Sequence, residues 1–84
     1  MDYKNFIKAC KYLVMYEAEG REYEPVNPDE IFVVWCCKIL QNNKALLATD
    51  NPHDDAYYEI TYNGDKKEFY VDTYLKAANV VVEE

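Results

Sequence analysis

Ile31-Phe32-Val33-Val34-Trp35-Cys36-Cys37-Lys38-Ile39-Leu40 is apolar on both faces of any strand it forms, and Lys38 is its only charge. Successive side chains of a strand point to opposite sides of the sheet. Strict alternation puts Ile31, Val33, Trp35, Cys37 and Ile39 on one face and Phe32, Val34, Cys36 and Leu40 on the other. One face can pack on a helix of the same chain. A chain of 84 residues has little left to cover the second. Fully burying a large apolar side chain stabilises by roughly 1.5–3 kcal/mol, so four of them hold roughly 6–12 kcal/mol. That rivals the whole stability of a small domain, about 5–15 kcal/mol. The expectation is a homo-oligomer, a dimer or higher, whose interface contains Phe32, Val34, Cys36 and Leu40.

Upstream, residues 3–18 carry a helical pattern. Tyr3, Phe6, Ile7, Cys10, Leu13, Val14 and the Glu17/Ala18 position follow the i, i+3, i+4, i+7 spacing of one buried face. Lys4, Lys8 and Lys11 fall opposite. Asp2 suits an N-cap, and Gly20 stands where a left-handed terminating residue is wanted. Residues 19–30 read as a polar connection through Glu22, Glu24, Pro25 and Pro28. Downstream, Gln41 to Lys44 read as a turn, and Ala45 to Thr49 as a returning strand. Residues 50–55 form a loop, and residues 56–62 a half-buried strand with Tyr58, Ile60 and Tyr62 inward. Asn63-Gly64 is the strongest hairpin signal in the chain, after which Lys67 to Asp72 return with Phe69 and Val71 inward. Asp72 caps a short helix over Thr73–Ala78, and Val80-Val81-Val82 reads as one more strand. The fold class is α+β: one domain over residues 1–84, with an N-terminal helix packed on a largely antiparallel four- to five-stranded sheet built from hairpins.

A net charge of −7 argues against duplex nucleic acid as a partner, since that affinity comes from neutralising phosphates with Lys and Arg. The charge is uneven. Lys4, Lys8 and Lys11 make the first helix locally basic, whereas the stretch from Glu17 to Glu30 is strongly acidic. Three cysteines without a Cys-x-x-Cys spacing, and Met1-Asp2 leading straight into an amphipathic segment, fit a reduced cytoplasmic protein without a signal peptide. No apolar run reaches the ~20 residues of a membrane span. The chain has no serine, and its two glycines cannot build a phosphate-binding loop. His53 lies alone in a turn-forming loop, and Cys36 and Cys37 project to opposite faces, so neither makes a metal site. Pairs such as Asp54-Asp55 or Glu59 with Glu68 are expected from so many acids and read as surface charge. No enzyme activity, metal or cofactor is expected.

The nine tyrosines are more informative. Tyr57 and Tyr70 point away from the core and are expected to pair across the Asn63-Gly64 hairpin, with Lys38 and Lys66 nearby. Aromatics beside lysines can stack a base and hold a phosphate, so Lys38, Tyr57, Lys66 and Tyr70 are the candidate ligand-binding residues. An aromatic interface between copies competes with that reading.

The pattern Val33-Val34-Trp35-Cys36-Cys37-Lys38, then Leu40-Gln41-Asn42-Asn43-Lys44-Ala45-Leu46-Leu47, then Tyr57-Tyr58-Glu59-Ile60-Thr61-Tyr62-Asn63-Gly64-Asp65, with Asn79-Val80 near the end, resembles a small family of unknown function encoded by phages and prophages of Gram-positive bacteria. The resemblance supplies no activity and no catalytic residues. It implies an accessory protein in the cytoplasm of an infected bacterium. Two function classes follow. One is counter-defence by an oligomer that sequesters a small nucleotide-type immune signal. The alternative is an acidic inhibitor or adaptor that binds a basic host or phage protein directly.

Overall fold

The computed structural model describes residues 1–21 and 27–84. Helix α1 (Tyr3–Gly20) leads to a 3-10 turn, η1 (Pro28–Glu30). Four strands follow: β1 (Ile31–Ile39), β2 (Asn42–Thr49), β3 (Tyr57–Asn63) and β4 (Glu68–Tyr74). Each strand pairs antiparallel with its sequence neighbour, so the sheet order is β1-β2-β3-β4 and α1 covers one face. This is the expected α+β fold, with four strands. The expected helix over Thr73–Ala78 is absent, because Thr73 and Tyr74 instead complete β4 opposite Tyr58 and Tyr57. Residues 75–84 have no regular structure, so Val80-Val81-Val82 adds no strand. The acidic connection through Glu22, Glu24 and Pro25 lies outside the described residues.

The Asp2 carboxylate caps α1, accepting from the Asn5 backbone N–H at 2.8 Å. Phe6, Cys10, Val14 and Ala18, spaced four apart, form the fully buried stripe, flanked by half-buried Ile7, Leu13 and Met15. Tyr3 is exposed, since the stripe begins one turn later. Gly20 closes the helix without a left-handed conformation; Arg21 is the C-cap and donates its backbone N–H to the Glu17 and Ala18 carbonyls. Against the helix the sheet presents Ile31, Ala45, Leu47, Tyr58 and Ile60, all buried, with Phe69 and Val71 half-buried at its edge.

The strict alternation expected for β1 fails at Val34. Val33 lies opposite Leu47 and Trp35 opposite Leu46, so Val34 is a bulge with no partner of its own. A bulge inserts one residue and flips the phase of everything after it. Ile31, Val33 and Cys36 therefore face the helix, whereas Trp35 faces away with Phe32 and is 42 % exposed. This corrects the expected faces, for Trp35, Cys37 and Ile39 lie on the open face with Phe32 rather than on the helix side, and Cys36 is not on the outer face. The strand ends at Ile39, and Leu40 takes a positive φ of 55° in a two-residue turn with Gln41. Leu40 is thus an exposed turn residue, and β2 starts at Asn42 rather than Ala45.

The β3–β4 hairpin closes through residues 64–67, with Asn63 opposite Glu68. The left-handed residue there is Lys67, φ 54°, not Gly64. Gly64 is needed for a different reason: a Cβ there would collide with the Gln41 carbonyl oxygen. The two hairpin turns pack together, and the Gly64 N–H donates to the Asn42 side chain at 3.2 Å.

Candidate functional site

The sheet face turned away from α1 is uncovered. Along β1 it carries Phe32, Trp35, Cys37 and Ile39, with the Val34 bulge on the rim. Along β2 it carries Ala48, Leu46, Lys44 and Asn42. Registers put Tyr57, Glu59 and Thr61 of β3 opposite Tyr74, Asp72 and Tyr70 of β4. The face thus has two halves. The β1 half is apolar, with Phe32, Val34, Trp35 and Ile39 all exposed. The β3–β4 half is tyrosine and acid, with Tyr57, Tyr70 and Tyr74 exposed around Glu59, Asp72 and Glu68.

Lys44 marks the boundary. Its ammonium lies 2.9 Å from the Glu59 carboxylate. The hydrogen bond and charge of Glu59 raise the lysine above its ordinary value, with Tyr74 and Asp72 adding to that despite some burial. Lys44 is therefore already neutralised, and Asp72 and Glu68 leave the surface acidic. Tyr70 donates to Glu68 Oε2 at 2.8 Å, which raises the phenol above its ordinary value. Leu46, Tyr57, Glu59 and Tyr74 line a shallow hollow of about 450 Å³. A second hollow, about 220 Å³ and lined by Cys37, Ile39, Lys44 and Thr61 among others, sits nearer the β1–β2 turn.

Of the expected ligand-binding set, Tyr57 and Tyr70 share this face but do not pair. Tyr70 lies opposite Thr61 and Tyr57 opposite Tyr74, which separates them by roughly 13 Å at ~3.3 Å per residue. The two lysines are elsewhere. Lys38 lies opposite Asn43, on the helix side of the sheet, and Lys66 is in the exposed β3–β4 turn. Of the expected interface set, Phe32 and Val34 are on the open face, Cys36 is beneath the sheet and Leu40 is at the turn. The residues missed were Trp35, Leu46, Tyr74, Glu59 and Asp72. The sequence pattern after Asp72 reads Tyr74 as helical, and the other positions depend on the bulge and on a hairpin register set by a four-residue turn.

On the helix side, Asp54 anchors a polar cluster at the end of α1. Its Oδ2 accepts from the Tyr58 hydroxyl at 2.8 Å and from Thr49 Oγ1 at 3.3 Å. Its Oδ1 accepts from Arg21 Nη1 and from the Ala56 backbone N–H, each at 3.1 Å. Arg21 also donates to the Tyr58 hydroxyl at 2.9 Å and stacks over its ring at 6.0 Å. Burial, then the Asp54 hydrogen bond and charge, push the Tyr58 phenol up to about 12, partly offset by Arg21. His53, one residue away, is exposed. Cys10 is enclosed, its thiol pushed up to about 12 by burial and then by Cys36.

A helix-backed antiparallel sheet with one bare aromatic face defines a small α+β protein built around a surface rather than a deep cleft. The chain belongs to the Family of unknown function (DUF6275), whose family model matches residues 7–84. No curated protein and no solved structure matches it. No helix among the described residues is long and apolar enough to cross a membrane.

Proposed function

We propose that this protein is a non-catalytic binding module that holds a basic protein segment against the tyrosine and acid half of its open face. The observation that carries this reading is the placement of the Glu59–Asp72 pair between the Tyr57–Tyr74 pair and Tyr70, with Lys44 already spent on Glu59. Lysine and arginine side chains gain from both partners of such a surface, by charge and by cation–π contact with the rings. The apolar β1 half, with Phe32, Val34, Trp35 and Ile39, is where two copies meet. The resemblance to phage and prophage proteins makes an infected bacterial cytoplasm the setting and a host defence protein, such as a basic nuclease, a fitting target. Sequestration of a nucleotide-type signal at Tyr57 and Tyr70 is the competing use of the same face. It is less favoured because the carboxylates there repel phosphate and Lys38 and Lys66 stand apart.

Lys44 separates the two uses. Titration with an arginine-rich peptide, followed by amide shifts at Tyr57, Glu59 and Tyr74, should show saturable binding. Glu59→Gln should weaken it about fivefold to tenfold, in keeping with one charge contact, and Lys44→Ala should tighten it by removing an internal competitor. A nucleotide site would behave in the opposite sense, with Lys44→Ala neutral or harmful and cyclic dinucleotides shifting the same amides. That pattern sinks the protein-binding reading.

A further inference from the structure

The helix side of the molecule holds a second surface, opposite in charge to the first. Lys4, Lys8 and Lys11 recur at i, i+4 and i+7, within an arc of about 60° and a rise of roughly 10 Å along α1. With Tyr12, Ile7 and Pro28 they line a cleft of about 350 Å³ between the helix and η1. That volume lies within the range of pockets for small ligands, about 300–1,000 Å³. Sixteen acids are spread over the chain, yet residues 3–16 contain none. Among the described residues no carboxylate forms an ion pair with any of the three lysines. Tyr12 is 57 % exposed and lines the same cleft. Helical lysines on a solvated face are usually interleaved with acids at i+4; here the cations are segregated and an aromatic stands beside them.

We propose that this cleft binds a small phosphorylated aromatic molecule of the nucleoside diphosphate class, the base stacking on Tyr12 and the phosphates held by Lys4, Lys8 and Lys11. Ile7 and Pro28 supply apolar walls for the base. Asp29, the one acid of the lining, suits the ribose hydroxyls as an acceptor. The net charge of −7 sets the ligand's size. A long polyanion would run from the cleft onto acidic surface, whereas a ligand shorter than the ~8–10 Å screening length feels the lysines alone. The site is independent of the open sheet face, on the other side of the molecule.

The test is calorimetry and amide shift mapping of the full chain with ADP, pyrophosphate and adenosine. ADP should bind more tightly than pyrophosphate, with shifts at Lys4 to Tyr12, and adenosine should not bind measurably. The Lys8→Glu variant should lose at least about tenfold in ADP affinity, as should the Lys4→Ala/Lys11→Ala pair, which adds no acid to the helix. Tyr12→Ala should bring ADP down to the level of pyrophosphate while leaving pyrophosphate unchanged, a loss of about tenfold for one stacked base. Tyr57→Ala, on the open face, should change nothing. The proposal is overturned by any of three results. These are no saturable binding of ADP or pyrophosphate, ADP shifts that map to the open face, or Tyr12→Ala leaving ADP affinity intact.

Discussion

Asp54 organises more of the molecule than any other polar residue. Its carboxylate side chain is fully buried, and four donors from the α1 C-cap, β2, the β2–β3 loop and β3 converge on it. Removing one partner of a buried ion pair typically costs about 3–5 kcal/mol, because the remaining charge is left uncompensated. Asp54→Ala should therefore lower stability by about that amount in urea unfolding, while Asp55→Ala, exposed next to it, should stay within ~0.5 kcal/mol. The sequence shows two adjacent aspartates in a turn-rich loop and offers nothing to tell them apart. Which one turns inward depends on Tyr58 and Arg21, thirty-seven residues apart in the chain. Two buried protons set the alkaline limit. Tyr58 and Cys10 are both held at about 12 in the folded protein, above their ordinary values of 10.0 and 9.0. The folded state then binds these protons more tightly than the unfolded one. Their stabilisation is complete below the unfolded values and is lost as pH rises from about 9 toward about 12. Urea midpoints measured from about pH 8 upward should fall from about pH 9. In Cys10→Ala the fall should begin only near pH 10, the ordinary value of the Tyr58 phenol.

At the scale of elements, β1 separates what the residue pattern reveals from what it hides. Composition and alternation locate the strand to within one residue of its end, and they show that a second apolar face exists. They cannot reveal a bulge, since Val34 looks like any β-branched strand residue. The helix was legible for a related reason: its buried stripe has one period from Phe6 to Ala18 and no interruption. The bulge has a measurable consequence. Trp35, half out in solvent on the open face, should tolerate truncation, with Trp35→Ala costing about 1 kcal/mol or less. Phe6→Ala, emptying a site that is 1 % exposed, should cost about 3–5 kcal/mol. In the monomer Trp35 should emit as a solvent-exposed indole and be quenched readily by acrylamide. A large loss for Trp35→Ala together with a shielded emission from a demonstrated monomer would mean that β1 runs through Val34 without a phase change. The hairpin register is a further case. Asn63-Gly64 marks the turn correctly, yet Gly64 is there for its contact with Gln41, a tertiary constraint outside any local pattern.

The whole molecule exposes more surface than a chain of its mass should. Its accessible area is 6220 Å², against about 5,200 Å² expected for a folded monomer of this mass. The radius of gyration is 14.0 Å, against roughly 12 Å for a compact chain of this length. The excess of about 1,000 Å² exceeds the ~800 Å² that each partner contributes to a standard interface. Two stretches of the described residues expose large apolar side chains. One is the apolar half of the open face. The other is the stretch after β4, where Leu75, Val80, Val81 and Val82 are exposed. Edge-to-edge pairing of β1 with a second copy is disfavoured by the bulge, which twists an edge out of register. Face-to-face packing on Phe32, Val34, Trp35 and Ile39 has no such obstacle, and it keeps the acidic half away from its own twin. Light scattering at micromolar concentration should thus report a dimer or higher oligomer, with Trp35 emission shifting to the blue as concentration rises. Val34→Glu should return the protein to a monomer of unchanged helix content, because it places an unpaired charge in the contact while the residue has no role in the core. Removing residues 79–84 tells the face from the tail. If the shortened chain still associates and Val34→Glu does not, the sheet face is the contact. If the shortened chain is monomeric, the Val80-Val81-Val82 stretch makes the contact instead, and the face remains free for a different partner.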